Sequence, residues 1–117
     1  LNYAERVDWV SGEAEVAPGV WVHHLPGHSG GLQAVTVETR AGRLCLASDV
    51  AHFYDNISRG LPFPVTADVA GQLDGHEAVK RLAGRPELLI PGHDRRVNDL
   101  FAPIPQDPLI FDLTRPR

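Results

Sequence analysis

Methionine is absent from the 117 residues, cysteine occurs once, and no run of Lys/Arg offsets an acidic balance of 11 basic against 15 acidic side chains. A lone cysteine excludes an intrachain disulfide, and its place within the apolar run Leu44 to Ala47 makes Cys45 a small core residue. A net charge of −4 without a basic cluster lacks the electrostatic footprint of a nucleic-acid or anionic-membrane binder, so neither partner is expected. No apolar stretch approaches the length needed to cross a bilayer, and no charged-then-apolar leader opens the chain. Nothing demands an oxidising compartment, and a cytoplasmic location is expected. With Leu1 first and no methionine, the chain is expected to continue upstream, residues 1–117 forming one partial domain. What is present is ordinary for a packed domain: 43% hydrophobic and 22% charged residues exclude the disordered, collagen-like and coiled-coil classes.

Gly and Pro cut the apolar runs into short elements, mostly strands, with one helix. Val20 to Leu25, Leu32 to Thr39 and Arg43 to Ser48 read as an antiparallel meander, punctuated by Pro26-Gly27 and Ala41-Gly42. Val7 to Val10 is a further strand candidate. Asp49 to Val65 reads as a long irregular loop, a length that suggests a functional role. Helical spacing then runs from Asp68, a candidate N-cap, to Ala83, stopped by Gly84 and Pro86, with Gly71 and Gly75 arguing against it. Glu87 to Ile90 is a short buried-type strand, and the proline-rich tail from Phe101 holds one more candidate, Leu109 to Leu113.

Polar residues follow three of these strands: His28, Asp49 and His93. Alternate strands of a meander finish at the same edge, so His28 and Asp49 share one. The helix supplies a crossover that brings Glu87 to Ile90 parallel to Arg43 to Ser48, which delivers His93 to that edge too. Each residue alone reads as a turn former or a solvated loop side chain. Together, with glycine beside both histidines, two imidazoles and a carboxylate form the donor set of a catalytic divalent cation of the zinc class. His23 and His24 are adjacent on a strand and face opposite sides, so both cannot reach one ion. His76 reads as packed or solvated on the helix. His52 is either at the rim of the site or an ordinary loop residue, and Tyr54 either offers its phenol to a substrate oxygen or packs beside Phe53.

At "HLPGHSGG" (His24 to Gly31), "LASDVAHFYDNI" (Leu46 to Ile57) and "IPGHD" (Ile90 to Asp94) the sequence resembles the second half of a metallo-β-lactamase-fold hydrolase, and most of all an N-acyl-homoserine lactonase. The resemblance covers roughly Glu13 to Leu100 and implies an α/β (α+β) fold. This chain would be the C-terminal half of an αββα sandwich, with a mixed, mostly antiparallel sheet and one crossover helix. It implies two zinc-class cations that activate water and polarise an ester carbonyl, with a small lactone as substrate. By resemblance His28 ligates the first metal, Asp49 bridges both and His93 ligates the second. The donors of His28 and His93 are then expected within about 5 Å of the Asp49 carboxylate.

The sequence departs from the family pattern in three places. The first-half motif His-x-His-x-Asp-His is absent, so the remaining ligands come from upstream sequence or from another copy in a homo-oligomer, and the chain alone is expected to expose apolar sheet surface. The turn after His28 reads Ser29-Gly30-Gly31-Leu32, without a second Gly-His. Many lactonases carry tyrosine three residues beyond the bridging aspartate, where this chain has His52. Tyr54 is the expected carbonyl donor, with His52 and Phe53 also against the substrate. A thioester or phosphoester hydrolase of the glyoxalase II kind, and a non-catalytic module with a single or empty site, are the alternatives.

Overall fold

The computed structural model describes residues 6–117. Gly19, at φ +75°, closes the turn between β1 (Glu13–Ala17) and β2 (Val20–His24). The meander continues through β3 (Gln33–Thr39) and β4 (Gly42–Ser48). Helix α1 (Tyr54–Arg59) follows, then α2 (Val69–Leu82), a 3-10 turn at Pro86–Leu88 and β5 (Leu89–Pro91). A single helical turn, α3 (Val97–Leu100), leads into the hairpin of β6 (Phe101–Ile104) and β7 (Asp107–Pro116). The five-stranded sheet has the order β1-β2-β3-β4-β5, antiparallel throughout except for the parallel β4–β5 pair, and β6–β7 form a second sheet. This is the mixed, mostly antiparallel α/β arrangement expected, with α2 as the crossover.

Register explains how the sheet buries both faces. Val37 pairs with Leu44 and Val35 with Leu46, whereas Thr36 pairs with Cys45, so successive residues of β4 alternate between two cores. Ala34, Cys45, Ala47, Val50, Val79 and Leu89 pack on the helical side. Leu44, Leu88, Ile90 and Phe101 pack on the other, beneath Phe111 and Leu113 of the hairpin. Each fully buried Leu or Phe of this kind contributes roughly 1.5–3 kcal/mol through removal of apolar surface from water. The expected bare sheet surface is thus covered around β4 and β5 and remains near β1 and β2, where Val16 and Trp21 are exposed.

Three expectations are corrected. Val7 to Val10 is not a strand, and the strand that pairs with β2 is Glu13–Ala17. The turn at Pro18-Gly19 fixes that register, and β2 ends at His24, whose N–H reaches the Gly12 carbonyl at 2.9 Å. The segment Asp49 to Val65 contains α1, whose six residues are too few to show a period. Local bonds make this helix: Phe53 N–H donates to Asn56 Oδ1 (2.8 Å), and Gly60 caps the far end in the left-handed conformation. The tail forms two strands rather than one, its prolines lying in a two-stranded sheet where every strand is an edge. Asp68 stands at the N-cap of α2 as expected, its backbone carbonyl accepting the Gln72 N–H at 3.0 Å.

The two glycines that argued against α2 permit its close docking. A Cβ on Gly71 would fall 2.9 Å from the Pro26 carbonyl, and one on Gly75 2.9 Å from Val50 Cγ1. His76 and Gln72 lie fully buried on the docked face.

Candidate metal centre

The loop that carries His28 is pinned to the start of α2. Gly27 offers its carbonyl to the amides of Ala67 (3.0 Å) and Asp68 (2.9 Å) and to the Thr66 hydroxyl (2.9 Å). Only glycine fits here, since a Cβ would lie 2.5 Å from Gln72 N. His28 Nδ1–H donates to the Val65 carbonyl at 2.7 Å. A carbonyl can only accept, so the proton sits on Nδ1 and the lone pair of Nε2 is left for a ligand, the usual arrangement of a metal-binding histidine.

Asp49 and His93 leave adjacent parallel strands. Ser48, at φ +50°, turns the chain sharply at the end of β4 and directs Asp49 to the sheet edge. The β5 loop is laced to the β4 loop, Gly92 N–H donating to Ala51 O (3.0 Å) and His93 N–H to His52 O (2.9 Å). A Cβ on Gly92 would strike Ser48 O at 2.7 Å. As a result His93 Nε2 lies 2.7 Å from Asp49 Oδ1.

His52 joins the same group. Its Nε2 is 3.4 Å from Asp49 Oδ1, and one ligand atom each of His28, Asp49 and His52 lie within 4.8 Å of one another. The ring is stacked on Phe63 (centroids 3.7 Å apart, 13° between planes), with His93 at 5.2 Å and His28 at 4.9 Å. Gln72 holds Phe63 in place by accepting its N–H at 3.1 Å. Burial lowers the His52 pKa, the neighbouring histidines act in the same direction, and Asp49 opposes them. Phe53 stands at the rim, 6.4 Å from the His52 ring and partly exposed.

Tyr54 is not brought to this group. Its ring lies under the Arg96 guanidinium (5.4 Å) and lines a cavity with Ile57, Lys80, Pro86 and Leu89. Burial and Asp94 raise its pKa and Arg96 lowers it, so its charged neighbours are those two and not the histidines. As the first residue of α1, Tyr54 turns toward the 3-10 segment, while His52, before the helix, faces the edge. His23 and His24 also stand apart, His23 buried between Glu13 and Thr36 and His24 outside against the Gly30 carbonyl.

Sequence reading assigned no role to three supports: Phe63, the Val65 carbonyl and Asp94. Asp94 accepts the Tyr54 N–H (3.0 Å) and the Arg96 side chain, fastening α1 to the β5 loop. The Arg96 hydrogen bond is the main reason its carboxyl pKa falls to about 2. Its position in the Pro-Gly-His-Asp run was the only signal; Phe63 and Val65 gave none.

The donor set fits a divalent cation of the zinc class. Two ligand atoms at about 2.0–2.1 Å from a tetrahedral ion lie roughly 3.3 Å apart, and the separations at Asp49 Oδ1 of 2.7 and 3.4 Å bracket that value. Neutral imidazoles and a carboxylate are ligands such an ion prefers, and the oriented His28 tautomer supplies an outer support of the expected kind.

Comparison with known proteins agrees with this picture. The chain matches no family model. It is 36% identical over 55 residues to an N-acyl homoserine lactonase of Bacillus sp. and to the N-acyl homoserine lactonase AiiA of Bacillus thuringiensis subsp. kurstaki. The match takes in 46% of this chain but 22% of each relative, so the aligned segment is about a fifth of their length. Its backbone superposes on an N-acyl homoserine lactone hydrolase solved with N-hexanoyl-L-homoserine at its catalytic metal centre, with a TM-score of 0.65 and 28% identity over 74% of this chain and 35% of that one. A protein described as a probable metal-dependent hydrolase from Staphylococcus aureus shares the fold at a TM-score of 0.59 and 15% identity, over 68% of this chain and 31% of that one. In sequence and in fold the chain is a partial relative of the N-acyl homoserine lactonases, with the fold of the metallo-β-lactamase-type hydrolases.

Proposed function

We propose that this chain carries part of the active site of a metal-dependent hydrolase that opens the ring of N-acyl homoserine lactones. The observation that carries the reading is the meeting of His28, Asp49, His52 and His93 at one sheet edge. His28 and His93 would each give Nε2 to a cation, and Asp49 would place its carboxylate between them. Zinc-class cations bound there supply Lewis acidity, which polarises an ester carbonyl and lowers the pKa of water. The chain's own part is orientation and exclusion of water. Gly27 and Gly92 let backbones approach closely enough to fix both histidine loops, the Val65 carbonyl sets the His28 tautomer, and Phe53 and Phe63 wall the site beside His52. The expected remaining ligands lie outside residues 1–117, which make up one partial domain in this reading. A cytoplasmic location goes with it, since the lone buried thiol of Cys45 requires no oxidising compartment.

The test is turnover by the full-length, zinc-loaded protein of an N-acyl homoserine lactone, a thioester and a phosphoester in parallel. The lactone should be opened with the highest kcat/KM, and Asp49→Asn should abolish the reaction. Preference for the thioester or phosphoester would keep the metal chemistry and overturn the substrate.

A further inference from the structure

Among the described residues, four buried side-chain polar atoms have no hydrogen-bond partner, and all are nitrogens of three residues: His52 Nδ1, Gln72 Nε2 and both ring nitrogens of His76. Unpaired polar atoms in an interior are costly, so a group of them points to a shared partner. The three residues are 5%, 1% and 1% exposed. They form one neighbourhood behind the metal cluster. Gln72 Oε1 accepts the Phe63 N–H at 3.1 Å, and the Phe63 ring is stacked on His52. His76 lies one turn beyond Gln72 on the buried face of α2, and after burial itself it is one of the neighbouring histidines that lower the His52 pKa. Burial lowers the His76 pKa and the Val50 carbonyl opposes it, yet neither ring nitrogen reaches a partner in hydrogen-bond geometry.

Donor and acceptor chemistry constrains the His52 ring from both sides. Its Nε2 faces Asp49 Oδ1 at 3.4 Å, and a carboxylate oxygen only accepts, which places the proton on Nε2. Nδ1 is then an inward lone pair that needs a donor. Gln72 has one to give: with Oε1 held by the Phe63 amide, its orientation is set and Nε2 carries two hydrogens. The 3.4 Å contact is long for a hydrogen bond and would also suit two ligands of one ion. The tautomer tells these apart, because a protonated nitrogen cannot ligate.

We propose that Gln72 and His76 are positioning residues for His52: the three enclose one buried water, which accepts the Gln72 Nε2–H and donates to His52 Nδ1 and to one ring nitrogen of His76, so that His52 presents an N–H and not a lone pair to the metal edge. The water's two hydrogens meet two imidazole lone pairs and one of its own lone pairs meets the amide, within the two to four partners an internal water needs. The other His76 nitrogen keeps its proton toward the Val50 carbonyl. His28 and His52 thus meet the edge as opposite tautomers, His28 with a lone pair for a cation and His52 with a donor for an oxygen held there. The proposal rests on reading this edge as a metal centre but not on its substrate, and it leaves both cations and their ligands as described above.

The test is nitrogen NMR of the histidine rings in the full-length protein, metal-free and zinc-loaded, at about pH 8, above the ordinary imidazole pKa of roughly 6.5, with His52→Gln to assign the signals. The expected result is Nε2–H on His52 in both forms, and Nδ1–H on His28. Gln72→Leu should let both tautomers of His52 coexist while His28 keeps its own, and a crystal structure should show an ordered water bonded to His52 Nδ1 and Gln72 Nε2. A proton on His52 Nδ1, or loss of the Nε2 proton when zinc is added, overturns the proposal, and neither reading requires a variant to fold. A dry pocket, or a Gln72→Leu variant that folds with the His52 tautomer unchanged, overturns it as well. Nε2–H on His52 in a protein that does not respond to zinc would overturn the metal reading and leave this assignment standing.

Discussion

The two ends of the five-stranded sheet are built differently. Around β4 and β5 both faces are covered, by α1 and α2 on one side and the β6–β7 hairpin on the other. At β1 and β2 the chain is a hairpin with little above or below it, so that Val16 is 53% and Trp21 38% exposed. Asp49 and His93 leave the covered end, where Ser48 and Pro91 are parallel partners, and the loop after β2 brings His28 to them because it is pinned to α2. Coordination needs donors held to a few tenths of an ångström, and close packing on two faces supplies that rigidity in a way an open hairpin cannot. Apolar surface at the other end can be covered by more of the same protein or by another copy without disturbing the ligands.

This contrast can be broken by substitution. Phe101→Ala, under the covered end, should cost about 3–5 kcal/mol in chemical denaturation, since a fully buried ring leaves a cavity between the sheet and the hairpin. Gly92→Ala should cost about 1–3 kcal/mol, because the new methyl must push Ser48 aside. It should weaken metal binding as well, since the displaced backbone carries both Asp49 and His93. A mutant with the stability loss and unaltered affinity would show that the loops are not coupled in this way.

Cys45 sharpens the comparison through pH. Burial raises its thiol from the ordinary 9.0 to about 12, so the folded state disfavours the thiolate. A raised folded pKa means that this contribution to stability is complete below about pH 9 and is lost as the pH climbs toward 12. The stability difference between the parent chain and Cys45→Ala should therefore shrink across that interval and stay constant between pH 6 and 8. The smallest effect is expected at the open end, where Val16→Ala should change stability by no more than about 0.5 kcal/mol. A loss comparable to that at Phe101 would show that the hairpin end is covered in solution.

The edge that gathers the cluster was legible because two strong signals agree. Turn residues bounded the strands of the meander, and the spacing of α2 demanded a crossover, which together fixed the ends of β2, β4 and β5. The helix α1 was not legible, since one Asn and one left-handed Gly make it without any period. That helix also sets where Tyr54 points, because in an unstructured loop two residues of displacement look harmless, whereas at the start of a helix they turn the ring to another face. The part played by His52 depends on Phe63 and Gln72 meeting it from distant elements, and nothing local in the sequence reports that.

Cation binding at the His/Asp edge is tested most directly by the thermal stability of the chain with and without zinc. Binding to the folded state alone should stabilise it by about 2.7 kcal/mol at free zinc 100-fold above Kd, seen as a higher Tm, and Asp49→Ala should remove the increment. An unmodified chain whose Tm ignores zinc, or an Asp49→Ala variant stabilised to the same degree, would show that this edge does not hold the ion.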